Sequence, residues 1–328
     1  MINHLLVLPR LRIQNANAIS SPMTWGFPAM SAFIGTMQAL ERNLPDDIKL
    51  VFNEVGVVCH HIEPQVTQGG IARAFHLTRN PVDKSGGTAA IVEEGRAHLE
   101  VSLLIGVESN GDDLSSAERR RVIAQTLFEQ VLGMRIAGGS VMPPRTGERH
   151  HRPALISFDA SEDENAKQWR RIKRRLLPGF ALVSRDDRLV EHTATLQAQN
   201  DQATAMDAWL DLCRLNHECR VVKETNEKDG ETKQTVHWDI RRPYPGWLVP
   251  IPVGYSAISD LFEAGEVANA RDADTPLRFV ESLYSIGEWV SPHRIQDPEA
   301  LLWYVENDLE AGCYRLNNDY SLATAHVE

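Results

Sequence analysis

The sequence predicts an α+β fold: a ferredoxin-like unit with the element order βαββαβ, followed by a mainly helical C-terminal portion. Two observations carry this prediction. Residues 5–14 begin as an apolar run and then alternate apolar with polar side chains, which is typical of a half-buried strand. Residues 115–132 carry apolar side chains at helical spacing behind a serine that can cap a helix. The 328 residues suffice for two average domains, or for one domain with a large insertion.

The elements of the first unit follow one another along residues 1–150. After the first strand, Pro28 introduces an amphipathic helix over about 29–42. The segments that resemble the remaining strands are 48–62, 72–77, 98–107 and a strand beginning at Arg135. With the helix at 115–132, this order fits the βαββαβ unit of RNA-recognition motifs.

Two connections of this unit are unusually long. Residues 63–87 are rich in polar side chains and glycine around a short strand, which predicts an inserted, projecting hairpin. Residues 143–165 are rich in proline, charge and histidine and indicate the end of the first unit.

The second half of the chain, residues 151–295, is predicted to be mainly helical, with helices near 166–176, 189–198 and 203–215. Residues 223–235 are nearly all polar and predict an exposed loop. Residues 247–253 are apolar but interrupted by prolines, which favours an edge strand or an extended arm. The last stretch, 296–328, carries seven acidic residues against Arg315 and predicts an acidic tail with one amphipathic helix.

The first strand carries the most informative polar side chains. Arg10, Arg12 and Gln14 are two residues apart, so a regular strand would present them on one face. Two guanidinium groups and an amide on an open sheet face suit a ligand that offers phosphates and base edges. Asn15 and Asn17 follow in a segment without helix or strand periodicity, which predicts a loop of hydrogen-bonding side chains.

This stretch also carries a family resemblance. LPRLRIQNANAISSPMTWGFPAMSAFIG (8–35) resembles the second subunits of type I-F CRISPR surveillance (Csy) complexes, which are RNA-binding proteins of the RAMP family. The resemblance continues in ordered blocks, namely LTRNP (77–81), GGTAAIVEEGRAHLEVSLLIGV (86–107), MRIAGGS (134–140), RRLLPGFALVSR (174–185), DLCRLN (211–216), PGWLVPIPVGY (245–255), GEVANARDADTPLRFVESLYSIGEW (265–289) and SPHR (291–294). These blocks span nearly the whole chain, so the resemblance does not depend on a single motif.

The resemblance implies a modified ferredoxin-like fold with a thumb-like hairpin, and a function without catalysis. It implies that the protein pairs with the large subunit of the complex, contacts a neighbouring backbone subunit and caps the 5′ handle of the CRISPR RNA (crRNA). Target double-stranded DNA near its adjacent motif is a further candidate partner. The residues expected to meet bases or phosphates are Arg10, Arg12, Gln14, Asn15 and Asn17. Those expected to follow the RNA backbone are Arg79, Arg135, Gly138, Gly139, Arg174 and Arg175.

Each of the backbone-tracking motifs has a structural alternative. Residues 167–175 contain six basic side chains, which suit phosphate contacts but equally a solvated helix neutralised by preceding acidic residues. Arg135 and the diglycine Gly138-Gly139 suit a phosphate-binding loop, yet most diglycines are simply turns. Arg79 lies in the predicted hairpin, where an Asn-Pro turn is the plainer interpretation.

Composition sets the limits of these hypotheses. The net charge of −11 disfavours a free-standing RNA-binding domain, although local potential rather than net charge decides binding. A structural adaptor without RNA contact therefore stays open. The four cysteines have no metal-ligand spacing, and no cofactor is expected. The sequence shows no signal peptide and no apolar stretch of membrane-spanning length, so a cytoplasmic protein is expected.

A RAMP-type RNA endonuclease that processes repeat RNA is the other open alternative. His4, His60 and His98 are candidate general bases for such an enzyme. The sequence contains no nucleophile elbow, P-loop or HExxH motif. No catalytic residue is therefore predicted.

Overall fold

The computed structural model describes residues 2–70, 72–79, 82, 85–88, 91–111, 114–144, 151–158, 160–225, 232–270 and 272–325. Its strands are β1 (His4–Asn17), β2 (Ile19–Ser21), β3 (Thr24–Trp25), β4 (Leu50–Pro64), β5 (Val66–Gly69), β6 (Ala72–Phe75), β7 (Leu77–Arg79), β8 (Ile91–Glu93), β9 (Arg96–Ser109), β10 (Arg135–Ile136), β11 (Gly139–Met142), β12 (Ala154–Ser157), β13 (Phe180–Ser184), β14 (Asn216–Thr225), β15 (Thr232–Arg241), β16 (Leu248–Ala257), β17 (Val280–Val290), β18 (Tyr304–Asp308) and β19 (Cys313–Asn317). Its α-helices are α1 (Met30–Arg42), α2 (Ala117–Leu132), α3 (Glu162–Arg175), α4 (Asp186–Gln197), α5 (Ala205–Cys213) and α6 (Tyr320–Ala325). Two 3-10 helices lie at Pro292–Arg294 and Glu299–Leu301.

An eleven-stranded antiparallel sheet organises the chain. Ten of its strands follow the order β10-β11-β1-β9-β4-β13-β17-β16-β19-β18. The eleventh, β12, pairs with the first residues of β1, whereas β11 pairs with its later residues. β9 pairs with β1 on one side and with β4 on the other over most of its length, so these three strands form the middle of the N-terminal half.

The first half of β1 is buried on both faces. Leu6 and Leu8 belong to the core on one face of the sheet, which we call the first face. Leu5 and Val7 belong to a separate core on the opposite, second face. Successive side chains of a strand point to opposite faces of the sheet. The uninterrupted apolar run 5–8 therefore indicates a strand segment that is buried on both faces.

Helices cover the two faces unequally. On the first face, α1 and α2 lie where the sequence predicts helices, and their apolar stripes, including Phe33 and Leu127, are buried in the first core. On the second face α3 packs by Trp169 and Ile172 against Leu5, Val7 and other residues of the second core. The described residues include no helix long and apolar enough to cross a membrane.

The predicted fold class is wrong. The order β1, α1, β4, β9, α2, β11 matches the predicted order of elements, but these strands do not form a separate ferredoxin-like unit. The free side of β4 pairs with β13, and the sheet then continues through β17, β16, β19 and β18. The C-terminal portion is consequently built mainly of strands, not of helices. A strand edge presents unpaired N–H and C=O groups, and extending the sheet satisfies them.

Two segments of the C-terminal half differ most from the prediction. The predicted polar loop at 223–235 overlaps the ends of β14 and β15, which pair with each other as a ribbon; residues 226–231 lie outside the described part. The predicted amphipathic tail helix does not form around 301–309, and the α-helix of the described residues beyond 296 is the short α6. There Val55 pairs with Trp303, which is fully buried in the first core, and β18 and β19 extend the sheet.

The proline-rich strand β16 lies inside the sheet and not at its edge. Pro250 and Pro252 pair with β17 on one side, and on the other side β19 pairs only with residues 254–256. The prolines therefore interrupt no hydrogen bonding with β19. The predicted domain boundaries at 150 and 295 stay a prediction.

Candidate nucleic-acid interface

The second face of the sheet is open beyond the region that α3 covers. Leu11 and Ile13 belong to the first core, so Arg12 and Gln14, which alternate with them, point to the second face. They line a cavity of about 510 Å³ in this open region, here called the Arg12 groove. Its lining comprises Arg12, Ile13, Gln14, His61, Glu63, His98, Leu99, Glu100 and Met142.

Strand pairing explains how these residues come together. Arg12 is opposite Glu100 of β9, which in turn is opposite His61 of β4. Gln14 is opposite Ser140 of β11. Within the described part of the chain, the side chains of Arg12 and Gln14 make no hydrogen bond or ion pair. They are therefore available to a ligand.

The groove carries charges of both signs. The guanidinium of Arg12 faces a surface that also holds the carboxylates of Glu63 and Glu100 and two imidazoles. A uniformly anionic backbone is not well matched to such a surface, whereas unpaired bases offer both donors and acceptors on their edges. The groove can thus read base edges by hydrogen bonding.

Arg10 occupies a different position from the one that simple alternation predicts. A β-bulge separates Leu8 from Leu11, and Arg10 adopts a positive φ of 53° there. Its guanidinium forms an ion pair of 2.8 Å with Glu100 and donates to the Leu177 carbonyl at 3.2 Å. Arg10 therefore joins β9 to the segment after α3, and only 18% of its side chain is exposed. Its predicted contact with RNA stays a prediction.

Beside Arg10, His60 and Ser102 form a second set of hydrogen bonds between the sheet and the segment after α3. The Nδ1 of His60 lies 2.7 Å from the Pro178 carbonyl, which can only accept, so Nδ1 carries the proton. Nε2 then accepts from the Ser102 hydroxyl at 2.7 Å, while the Arg10 amide donates to the same hydroxyl oxygen. Burial lowers the pKa of His60 to about 4, so the ring is neutral near pH 7. Ser102 is completely buried and cannot reach a ligand.

Asn15 and Asn17 lie at the end of β1, next to the groove. Asn15 marks a second bulge with a φ of 58° and accepts a hydrogen bond of 2.6 Å from Gln65, which also contacts His98. The side chain of Asn17 bonds the amide and carbonyl of Ile19, which closes a local turn. Both asparagines are exposed, and both are partly engaged in shaping the backbone.

The diglycine lies in the tight hairpin of β10 and β11. Ala137 and Gly138 form its two-residue loop with φ values of 50° and 76°, as a type I′ turn requires. A Cβ on Gly139 would lie 2.7 Å from backbone atoms of β1, so this position requires glycine for packing. Turn geometry and packing explain the two glycines. Their predicted contact with phosphate, and that of the exposed Arg135, stay predictions.

The basic end of α3 lies near the groove. Acidic residues occupy the first turn of α3 and basic residues its last turn, which matches the helix dipole. Trp169 and Lys173 both donate to the Ile295 carbonyl and anchor the helix. Arg174 is exposed, whereas burial lowers the pKa of Arg175, which donates to the Arg152 carbonyl. The segment after this helix, at Leu177 and Pro178, receives the hydrogen bonds from Arg10 and His60.

The predicted projecting hairpin corresponds to two short hairpins, β5–β6 and β7–β8. Arg79 ends β7 and pairs with Ile91 of β8. Its side chain, and the adjoining Asn80 and Pro81, lie outside the described residues. The structure thus brings Arg12, Gln14, Asn15, Asn17 and the β10–β11 hairpin together, and Arg79 stays a prediction.

Sequence reasoning missed four groove residues, namely His61, Glu63, Glu100 and Met142. For His61, Glu63 and Glu100 the signal is period-two alternation within strands β4 and β9, whereas Met142 lies on β11, opposite Arg12. That signal becomes readable only when the strand register is known. Trp25 of β3 is 49% exposed and contacts Phe75 edge to face, so its ring is a candidate surface for stacking of a base.

Two sequence comparisons identify relatives of this chain. The family profile of the CRISPR-associated protein Cas_Csy2 matches residues 6–316. The chain is also 50% identical to the CRISPR-associated protein Csy2 of Pseudomonas aeruginosa (strain UCBPP-PA14) over 315 residues, which cover 95% of this chain and 94% of that protein. Both matches span the groove, α3 and the C-terminal strands.

Proposed function

Because the chain belongs to the Csy2 family of type I-F CRISPR-associated proteins, we propose that it is a non-catalytic, RNA-binding subunit of the surveillance complex. In this proposal it pairs with the large subunit and caps the 5′ handle of the crRNA. A neighbouring backbone subunit contacts it in the assembly, and target double-stranded DNA near its adjacent motif is the remaining candidate partner.

One observation carries the proposal: the open half of the second sheet face presents Arg12 and Gln14 without partners among the described residues. Sequence-specific RNA recognition is directed mainly at unpaired bases, which are hydrogen-bonded along their edges. A single-stranded handle offers such bases, and the mixed charges of the Arg12 groove suit them. Double-stranded RNA presents mostly phosphates and ribose hydroxyls and fits this groove less well.

Contacts with the RNA backbone are proposed for residues around the groove. Arg174 at the exposed end of α3, together with Arg175, and Arg135 at the β10–β11 hairpin supply guanidinium groups near its two sides. Arg79, Gly138 and Gly139 complete the proposed path. Such contacts add affinity without sequence preference, because every nucleotide carries the same phosphate.

The surroundings of the histidines support a function without catalysis. His60 and Ser102 are hydrogen-bonded to each other, but the serine is completely buried and no substrate phosphate can approach it. His98 contacts Gln65 and the Asn15 amide, so it shapes the backbone beside the groove. Neither arrangement presents a general base next to an accessible nucleophile.

An exposed apolar ribbon supports membership in an assembly. Val236, Trp238 and Ile240 lie on one face of β15 and are each more than half exposed. Ion pairs between Arg220 and Asp239 and between Arg241 and Glu218 occupy the other face. Exposed apolar surface of this kind is typical of contacts between proteins.

The test is a titration of the full chain, copurified with its large subunit, against guide RNA with the native 5′ handle and against the same RNA with a scrambled handle. We expect tighter binding of the native handle. The double variant Arg12→Ala, Gln14→Ala should reduce this preference by at least roughly 30-fold, because each of the two lost base contacts costs about 1–3 kcal/mol. Arg121→Ala is the matched control, since Arg121 is exposed on α2 and pairs only with Glu118 among the described residues.

A second variant separates the phosphate contacts. Arg174→Ala with Arg175→Ala should weaken binding to both RNAs equally and flatten its dependence on salt. Equal, weak binding of wild-type protein to both RNAs would instead identify an adaptor without RNA recognition. A discrete cut in repeat RNA, lost on substitution of a histidine, would identify an endonuclease.

A further inference from the structure

A second cavity, of about 260 Å³, lies where α5 ends, the β14–β15 ribbon begins and the chain enters β16. We call it the Arg242 cavity. Its charged and aromatic lining residues are Arg214, Arg241, Arg242, Tyr244 and Trp247, and the rest of the lining is uncharged. Three of these residues are arginines, two are aromatic and none is acidic. In a chain with 45 acidic and 34 basic residues, such a lining is a local concentration of positive charge.

A buried carboxylate orients two of the three arginines. Asp211, which is 5% exposed, accepts from Arg214 at 2.6 Å and from Arg241 at 3.2 Å, and His192 contacts it from the opposite element α4. Burial opposes ionisation of Asp211, but the hydrogen bonds from His192 and Arg214 outweigh it and lower the pKa to about 2. Asp211 therefore stays charged and fixes the guanidinium groups at neutral pH.

The third arginine, Arg242, carries the positive charge that no carboxylate of the described residues balances. Arg241 also pairs with Glu218 at 2.9 Å, so Asp211 and Glu218 balance two of the three positive charges. Arg242 is exposed, and within the described residues it has no hydrogen bond or ion pair. A free guanidinium beside two fixed ones is suited to an anion with planar or tetrahedral oxygens.

Trp247 adds a flat apolar surface at the same cavity. Its ring is held from behind by Phe180 at 5.4 Å and by Trp289 at 6.3 Å between ring centroids, and its backbone carbonyl accepts from the Trp289 amide. Nonetheless 56% of Trp247 is exposed. Since the ring is already ordered, stacking a ligand on it costs little conformational entropy.

We infer that the Arg242 cavity binds a phosphodiester of single-stranded nucleic acid and that an unstacked base of the same strand lies on Trp247. A positive groove beside an ordered aromatic ring is how proteins hold single strands without reading their sequence. The cavity is smaller than the roughly 300–1,000 Å³ of sites that enclose a whole small molecule. It therefore fits one segment of a strand that continues beyond it.

This inference goes beyond the proposed function, because the cavity shares no residue with the Arg12 groove. The ligand chemistry is common to RNA and single-stranded DNA. An acidic protein segment is the competing occupant, since it would use the arginines. Such a segment would not need the exposed ring, and this difference allows the two occupants to be separated.

The test is fluorescence anisotropy with the full chain, purified free of guide RNA, and two labelled probes: a short oligouridine and an oligodeoxythymidine of equal length. Arg242→Gln should weaken both probes and reduce the salt slope by about 0.7, as expected for one phosphate contact on a single strand. Trp247→Leu should weaken binding of both probes by roughly 5- to 150-fold with an unchanged salt slope. Arg242→Lys and Trp247→Phe should each retain part of the affinity, and Arg121→Gln should bind as wild type.

If the two substitutions weaken the binding of oligouridine more than that of oligodeoxythymidine, the ligand is RNA. If they weaken the binding of oligodeoxythymidine more, the ligand is single-stranded DNA. Both results support the inference. Wild-type affinity in both Arg242→Gln and Trp247→Leu would overturn it. A second result would also overturn it: polyglutamate displaces the probes as effectively as unlabelled oligonucleotide does, and Trp247→Leu binds the probes with wild-type affinity. Loss of handle preference in the Arg12 and Gln14 variant with unchanged oligouridine binding would separate the proposed function from this inference.

Discussion

Acidification should destabilise the protein through His60, and substitution of this residue should remove that effect. The folded protein holds His60 neutral between the Pro178 carbonyl and the Ser102 hydroxyl, beside the charged Arg10. Its pKa is about 4, against 6.5 for an unperturbed histidine. Between these values the unfolded chain binds a proton that the folded protein does not. Stability is therefore fully present above pH 6.5 and is lost as the pH falls towards 4.

The two pKa values give the size of the effect. At pH 5 the unfolded chain gains at most about 2 kcal/mol from protonation of His60, whereas at pH 7 the gain is below about 0.2 kcal/mol. Because part of the ring contacts solvent, we expect about half of the maximum, roughly 1 kcal/mol. Carboxylates with lowered pKa, such as Asp211, lose their contribution only at lower pH, and Glu54, whose pKa is raised by burial, acts in the opposite direction.

The measurement is the free energy of unfolding in urea at pH 7 and pH 5 for wild type and for His60→Gln. Glutamine can donate to Pro178 and accept from Ser102 but does not titrate, so the pH-dependent loss should shrink by roughly 1 kcal/mol. His61→Gln is the matched control, because His61 is the exposed neighbour and its substitution should leave the loss unchanged. An equal loss in wild type and His60→Gln would refute the assignment of this effect to His60.

Two further predictions concern packing. Gly139→Ala would place a Cβ 2.7 Å from the backbone of β1 and should lower the free energy of unfolding by about 1–3 kcal/mol, whereas Gly35→Ala, in an open position on α1, should raise it by about 0.5–1 kcal/mol. Equal urea midpoints for these two variants would contradict the contact. Trp303→Phe removes the hydrogen bond from a fully buried indole to the Leu182 carbonyl and should cost about 2–4 kcal/mol in the same assay. A loss below about 0.5 kcal/mol would show that the C-terminal segment does not contribute to the core.

The elements that sequence patterns predict well are those whose partners are local or periodic. The run at 5–8 followed by alternation locates β1, and the apolar stripes locate α1 and α2 within two residues of their ends. These signals arise from burial on one or two faces of a single element. They need no knowledge of what packs against that element.

The C-terminal strands other than β16 were missed because their identity depends on distant partners. β13 is a strand because it completes β4, which lies more than a hundred residues earlier, and Trp303 is buried because it reaches the same strand. In β15 the alternation of Val236, Trp238 and Ile240 was a readable signal. The polar composition of the preceding segment concealed it.

In the candidate site, too, local periodicity could be predicted and long-range contacts could not. The prediction that Arg12 and Gln14 share one face follows from regular alternation and agrees with the structure. The position of Arg10 could not be predicted, because a bulge with a positive φ breaks the alternation at that residue. Likewise, no pattern in the sequence shows that Asp211 orients two arginines from different elements. Such sites are properties of the folded surface.

The net charge of −11 and the proposed RNA binding are compatible because the charges are arranged differently at the two candidate sites. In the Arg12 groove, carboxylates lie beside the arginine, which weakens attraction to any polyanion and leaves hydrogen bonding to base edges as the source of selectivity. The lining of the Arg242 cavity holds no carboxylate, its partner Asp211 is buried, and Arg242 is exposed without a partner among the described residues. Groove variants should therefore alter sequence preference at nearly constant salt slope, whereas the cavity variant Arg242→Gln should alter the salt slope at constant sequence preference.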